Sequence, residues 1–203
     1  DDQGRILGLE FTHLFRCGWS QDLSLPVADR AMLHADNCYH LPHIRIESHR
    51  LKTNTCSATA YRGFGGPQGM VGIERVLDHV AFATGREPLE VRKANFYRGM
   101  VSADASGGDI SASMKPQTTP YHMPVEDFIG HGLVAELEKT SGYAARRAEI
   151  AAWNAKSPIL KRGISLVPVK FGISFTLTWL NQAGALVHVY QDGSIALNHG
   201  GTE

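Results

Sequence analysis

Between Thr59 and Gly69 the chain reads Thr-Ala-Tyr-Arg-Gly-Phe-Gly-Gly-Pro-Gln-Gly, and few folds accommodate such a run. Gly63, Gly65 and Gly66 lack a Cβ, so the backbone there can take positive φ and approach another group closely. Pro67 suits the first helical position, where its missing N–H is one the helix leaves unbonded anyway. Met70, Ile73, Val76, Leu77 and Val80 then recur at three- and four-residue steps, which predicts one apolar face of an amphipathic helix. A helix start offers N–H donors and partial positive charge to an anionic or oxygen-rich group. Arg62 adds a fork of donors and Phe64 a flat face. On its residues alone the loop is either a ligand cradle or a tight connection. It meets neither the dinucleotide fingerprint, because the third glycine falls one place late, nor the P-loop, because no Lys-Ser or Lys-Thr follows.

Around this loop the pattern alternates between helix and strand. Arg5 to His13 alternates apolar and polar residues, and so does Ile44 to Lys52 as far as Ser48, as half-buried strands do. Val27–His34 and Glu87–Phe96 read as short helices, the second with Pro88 near its first turn. Val101–Met123 is rich in Ser, Gly, Ala, Asp and Thr and reads as a loop. A helix is expected from Val125 to a break at Ser141-Gly142, resuming at Tyr143. From Ile164 onward the chain reads as a β-meander, ending in a hairpin with Asp192-Gly193 at its turn. The fold class is α+β, with the division between two units near Pro158 to Gly163.

Twenty basic residues balance twenty acidic ones, so nothing suggests nucleic acid or an anionic membrane as partner. No apolar run reaches the length of a membrane span. Cys17, Cys38 and Cys56 are odd in number and widely spaced, a pattern of reduced thiols in a cytosolic protein. Cys38, His40 and His43 fall close together, but Pro42 interrupts them and packing or a turn hydrogen bond is their expected task. Glu74, Glu126 and Glu138 are expected on solvated helix faces. Arg30 reads as a surface arginine paired with Asp29 or Asp36, and Phe64 and Phe175 as core packing.

Five stretches change those readings. Tyr61-Arg62-Gly63-Phe64-Gly65-Gly66-Pro67-Gln68 resembles the cofactor loop of the xanthine dehydrogenase and xanthine oxidase family, in its molybdenum-binding part. Arg30-Ala31-Met32-Leu33-His34-Ala35-Asp36-Asn37-Cys38-Tyr39 is similar to that family's substrate-arginine segment. Lys170 to Thr176, Leu180 to Gly184 and His199 to Glu203 resemble its second cofactor-binding domain. The resemblance covers nearly the whole chain and is weakest from Val101 to Met123. It implies a fragment of two consecutive α+β molybdenum-cofactor-binding domains, over 1–160 and 161–203, incomplete at both ends and inactive alone.

The same resemblance implies purine oxidation, hypoxanthine to xanthine to urate. Arg30 would hold a purine carbonyl oxygen and stabilise charge developing on the ring. Phe64 and Phe175 would sandwich the substrate, Thr176 would hydrogen-bond it, and Leu23, Leu177 and Leu180 would form the wall. Tyr61, Arg62, Gly63 and Gly201 would bind molybdenum–molybdopterin, Arg62 touching the molybdenum centre through its backbone with no direct side-chain ligand. The family's general-base glutamate lies outside this sequence. FAD and 2Fe–2S clusters would sit on partner domains or subunits, together with the rest of the molybdenum-binding subunit, in a cytoplasmic oligomer. The alternatives are an aldehyde or N-heterocycle oxidoreductase of the same family, or a non-catalytic scaffold fragment.

Overall fold

The computed structural model describes residues 1–98 and 117–200. Two compact units divide the chain, Asp1–Gly172 and Ile173–Glu203. In the first, strand β1 (Leu9–Gly18) leads through helix α1 (Ser24–Leu33) to β2 (Ile44–Lys52). β1 and β2 pair in parallel, with Leu9 opposite Ile44 and Phe15 opposite Arg50, as a strand–helix–strand unit requires. Helices α2 (Gly66–Thr84), α3 (Pro88–Asn95), α4 (Gly130–Thr140) and α5 (Tyr143–Lys156) follow.

The periodicity after Pro67 delivers what it promises. Ile73, Leu77 and Ala81 are buried, with Val76 and Val80 half-buried beside them. Tyr39, Leu89, Val91 and Phe96 belong to the same core, on which Leu9, Phe11 and Ile44 of the sheet pack. Each fully buried Ile or Leu contributes roughly 1.5–3 kcal/mol of transfer free energy. At α3 the Glu87 side chain accepts from the N–H groups of Leu89 and Glu90, and Pro88 takes the first position.

Three expectations need correction. The first strand runs from Leu9 to Gly18, not from Arg5, because Ile6 N–H donates to Asn95 Oδ1 at 2.8 Å while Asn95 Nδ2 donates to Gly4 O. A helix side chain satisfies the backbone where a strand partner would have been. α4 starts at Gly130 and not Val125, since Val125 N–H is bonded to Gln117 O and Thr118 bridges Pro124. The expected meander from Ile164 holds no strand before Ala185, and over Ile164 to Gly172 the backbone groups are taken by side chains described below. Of the expected loop at Val101–Met123, residues 101–116 lie outside the described residues.

The second unit holds a short 3-10 turn at Thr178–Leu180 and the hairpin of β3 (Ala185–Val189) and β4 (Ile195–His199). Val189 faces Ile195, and Gly193 at φ 83° supplies the left-handed step in the connecting turn. Asp192 Oδ1 accepts from the Ser194 N–H and hydroxyl, which lowers its pKa.

Candidate functional site

α1 ends on Arg30, Ala31, Met32 and Leu33, and the basic side chain in its last turn complements the negative end of the helix. Arg30 is only 6% exposed. Its Nη1 donates to Gly172 O at 2.7 Å, and its Cζ lies 5.6 Å from the Phe64 ring centre and 5.3 Å from that of Phe171. A guanidinium held against two aromatic rings is in cation–π range. Burial lowers its pKa, though an arginine keeps its charge. Nε, also buried, has no hydrogen-bond partner among the described residues. Neither acidic neighbour is its partner: Asp36 Oδ2 accepts from Tyr97 Oη at 2.7 Å and from Lys170 Nζ. The reading of Arg30 as a surface ion pair is therefore replaced.

Phe64 reaches Arg30 because the loop turns through three consecutive residues at positive φ. Gly63, Phe64 and Gly65 stand at 92°, 48° and 102°. For a phenylalanine that conformation is strained, and it is held by the backbone bonds of the turn and by the ring's place against Arg30. Phe64 N–H donates to Tyr61 O at 2.7 Å and Gly66 N–H to Gly63 O at 2.9 Å. Several glycines answer to packing. A Cβ on Gly65 would stand 2.0 Å from Val27 O, and one on Gly69 2.1 Å from Ala31 O. The first turn of α2 thus lies directly on the backbone of α1. A Cβ on Gly66 would stand 2.4 Å from the Phe171 ring.

Tyr61 is 84% exposed, Arg62 is exposed and Gly63 half-buried. An arginine next to a helix start is a donor set for an anionic, oxygen-rich group, so these residues fit a phosphate-bearing pterin. Leu23, immediately before α1, is half-buried. Within the second unit Phe175, Thr176 and Leu177 are half-buried and Leu180 is 46% exposed, with Asn181 Nδ2 donating to Phe175 O at 3.2 Å. Gly201 lies outside the described residues. Arg30 and Phe64 are thus brought together, within the first unit.

Sequence reasoning missed Phe171 and the polar clamp that places it. His34 Nε2 accepts from Gly172 N–H at 2.9 Å. Asn37 Nδ2 donates to Pro168 O at 2.9 Å, and its Oδ1 accepts from Lys170 N–H at 2.9 Å. His34, Asp36 and Asn37 all follow Arg30 in the sequence, a polar cluster closing an apolar helix, and that was the available signal. Glu74 was misplaced. It is buried, accepting from Arg92 Nε at 2.7 Å, Tyr39 Oη at 2.6 Å and Asn37 Nδ2 at 2.8 Å. Of the other two glutamates, Glu126 is exposed and half-buried Glu138 pairs with Lys93. His40 stacks edge-on with Tyr97, and Cys38 is buried, its thiol pushed up to about 12 by desolvation. All three cysteines are free thiols. A separate cleft of about 480 Å³, walled by Phe128, Leu133, Leu166 and Val169, contains none of the expected site residues.

Two models described as molybdopterin cofactor-binding domains match residues 1–96 and 136–203. The xanthine dehydrogenase of Drosophila subobscura is 45% identical over 200 residues, 98% of this chain and 14% of that protein. The chain belongs to the xanthine dehydrogenase family. The xanthine dehydrogenase/oxidase of Felis catus is 43% identical over the same share of this chain. The chain spans 14% of the length of these curated relatives. Among solved structures, an aldehyde oxidoreductase from Desulfovibrio desulfuricans matches with TM-score 0.66 and 21% identity, over 97% of this chain and 19% of that one. Quinoline 2-oxidoreductase from Pseudomonas putida matches with TM-score 0.57 and 25% identity, over 77% of this chain and 19% of that one. The mixed helix and strand architecture is shared with these two oxidoreductases. No helix among the described residues is long and apolar enough to cross a membrane.

Proposed function

We propose that this chain supplies the purine-facing arginine and part of the cofactor loop of a xanthine dehydrogenase. The observation that carries the reading is Arg30: a buried cation beside two aromatic rings, with Nε–H left unpaired among the described residues. A buried donor without an acceptor calls for one, and a ring carbonyl oxygen of a purine is planar, polar and of the right chemistry. The relatives at 45% and 43% identity support the same substrate class.

When bound, molybdenum–molybdopterin supplies the oxidation and oxygen transfer. Tyr61, Arg62 and Gly63 hold it, Arg62 through its backbone, and Gly201 belongs to the same proposal. Phe64 offers its ring to the face of the purine, and Leu23 belongs to the wall. In the second unit Phe175, Thr176, Leu177 and Leu180 are proposed substrate contacts. Arg30 donates to the carbonyl oxygen and gains strength as negative charge spreads onto it, the kind of contact worth roughly 2.7–4 kcal/mol in a water-poor site. Residues 1–160 form part of a first cofactor-binding domain and 161–203 part of a second. FAD, 2Fe–2S clusters and the remaining molybdenum-binding residues reside on partner domains or subunits of a cytoplasmic oligomer.

The test replaces Arg30 by Met in the complete enzyme. Losing about 3 kcal/mol of transition-state stabilisation slows xanthine turnover roughly a hundredfold, lowering kcat together with kcat/KM. An aromatic aldehyde has no ring carbonyl for the guanidinium, so its rate falls little. Equal losses on both substrates make Arg30 structural and remove the case for purine.

A further inference from the structure

Three hydrogen bonds close a ring around the end of α1. Arg30 Nη1 donates to Gly172 O at 2.7 Å, Gly172 N–H donates to His34 Nε2 at 2.9 Å, and His34 Nδ1 lies 2.8 Å from Arg30 O. The partners fix the tautomer: a carbonyl requires the proton on Nδ1, and an amide N–H requires the lone pair on Nε2. His34 is 6% exposed, and its ring lies 4.9 Å from that of Phe171, which in turn faces the Arg30 guanidinium. Both groups that bound Arg30 on this side, the Gly172 carbonyl and the Phe171 ring, are therefore anchored by one imidazole.

We infer that His34 is a positioning residue, holding Phe171 and Gly172 so that the Arg30 guanidinium keeps one aim. This deepens the proposed function and rests on it. Arg30 has a flexible stem, and the Gly172 carbonyl ties down one end of its guanidinium. Without His34, nothing described holds Gly172 N–H, and the carbonyl is free to turn with its peptide. Neutral His34 is the form the ring needs. Burial lowers its pKa, the charges of Arg30 and Lys170 act in the same sense, and the hydrogen bond to Arg30 O and the charge of Asp36 oppose them.

The experiment is a cycle of Arg30→Met, His34→Leu and the double variant in the complete molybdenum-loaded enzyme. The readout is the ratio of xanthine to benzaldehyde turnover, with kcat and KM resolved and molybdenum content measured. His34→Leu is expected to lower the ratio about tenfold, the factor one misaligned hydrogen bond carries, through kcat with KM little changed. The double variant is expected to match Arg30→Met alone. His34→Gln, which can still accept from Gly172 N–H, is expected to recover part of the ratio, and it stands in if the leucine variant does not accumulate. If Arg30→Met leaves the ratio unchanged, the reading of the site falls and the inference with it. If Arg30→Met lowers the ratio but the His34 loss is absent, or multiplies onto it, the reading stands and the inference is overturned.

Discussion

Arg92 Nε donates to Glu74 Oε2 at 2.7 Å, with the two side chains 2% and 11% exposed. Glu74 also accepts from Tyr39 and Asn37, while Arg92 Nη2 reaches Asp78 Oδ1 at 2.9 Å. Asn37 links this network to the segment ending on Phe171 through Pro168 O and Lys170 N–H. The pair thus joins α2 and α3 to the turn that clamps the arginine site.

Removing Glu74 leaves the buried Arg92 with only the more exposed Asp78 as carboxylate partner, and leaves Tyr39 and Asn37 without their shared acceptor. Glu74→Ala is expected to destabilise the protein by about 3–5 kcal/mol, the usual cost of breaking a buried pair from one side. Glu74→Met with Arg92→Met is expected to cost clearly less than the sum of the single changes. Chemical denaturation of the four proteins measures this, and additive losses would count against coupling.

Gly69 and Gly72 lie in the same helix with opposite prospects. Gly69→Ala forces a methyl to 2.1 Å from Ala31 O and is expected to cost about 1–3 kcal/mol by overpacking. Gly72→Ala brings its methyl to an ordinary 3.8 Å from Phe11 and is expected to gain about 0.5–1 kcal/mol from helix propensity and a stiffer unfolded chain. Thermal midpoints moving in the same direction would refute the packing account.

His34 gives a pH signature. Its folded pKa lies below the ordinary 6.5, mainly through burial, so the unfolded chain binds the proton first as pH falls. Its contribution is fully present above about pH 6.5 and is lost below it. At about pH 7.5 the protein is expected to exceed His34→Gln in stability by roughly 1 kcal/mol, one buried hydrogen bond, with the gap shrinking toward pH 5. Comparing the pair removes the parallel effects of His13 and His40, whose pKa values are also lowered by burial. A gap that stays constant over that range rules out the neutral-ring requirement.

Phe64→Ala tests the division of labour within the loop. The ring faces Arg30, whereas Tyr61 and Arg62 are exposed. In the complete enzyme the change is expected to raise KM for xanthine severalfold, the worth of about 1 kcal/mol of ring contact, with molybdenum content kept. Loss of molybdenum would assign Phe64 to cofactor retention instead.

Short-range signals carried most of the fold. β2 spans the expected Ile44–Lys52 segment, although its alternation stops at Ser48, and α2 starts at the glycines ahead of Pro67. What escaped is long-range. Asn95 replaces a strand neighbour for Ile6 from 89 residues away, and Arg30 finds Gly172 across 142 residues. No periodicity encodes such contacts. Glu74 looked solvated because α2 carries polar residues on several sides, and only the arrival of Arg92, Tyr39 and Asn37 makes its burial tolerable.

Because Gly65 and Gly69 bring α2 onto the main chain of α1, the spacing between Arg30 and the Tyr61–Gly63 loop is set by bare polypeptide. Such a gauge has no adjustable side chain. On the proposed reading, changes at positions 30, 64 or 171 would alter which molecule is recognised, while the backbone contact relating them to the Tyr61–Gly63 loop would stay fixed. A substitution at either glycine would therefore shift the frame, whereas one at the tips would leave it in place.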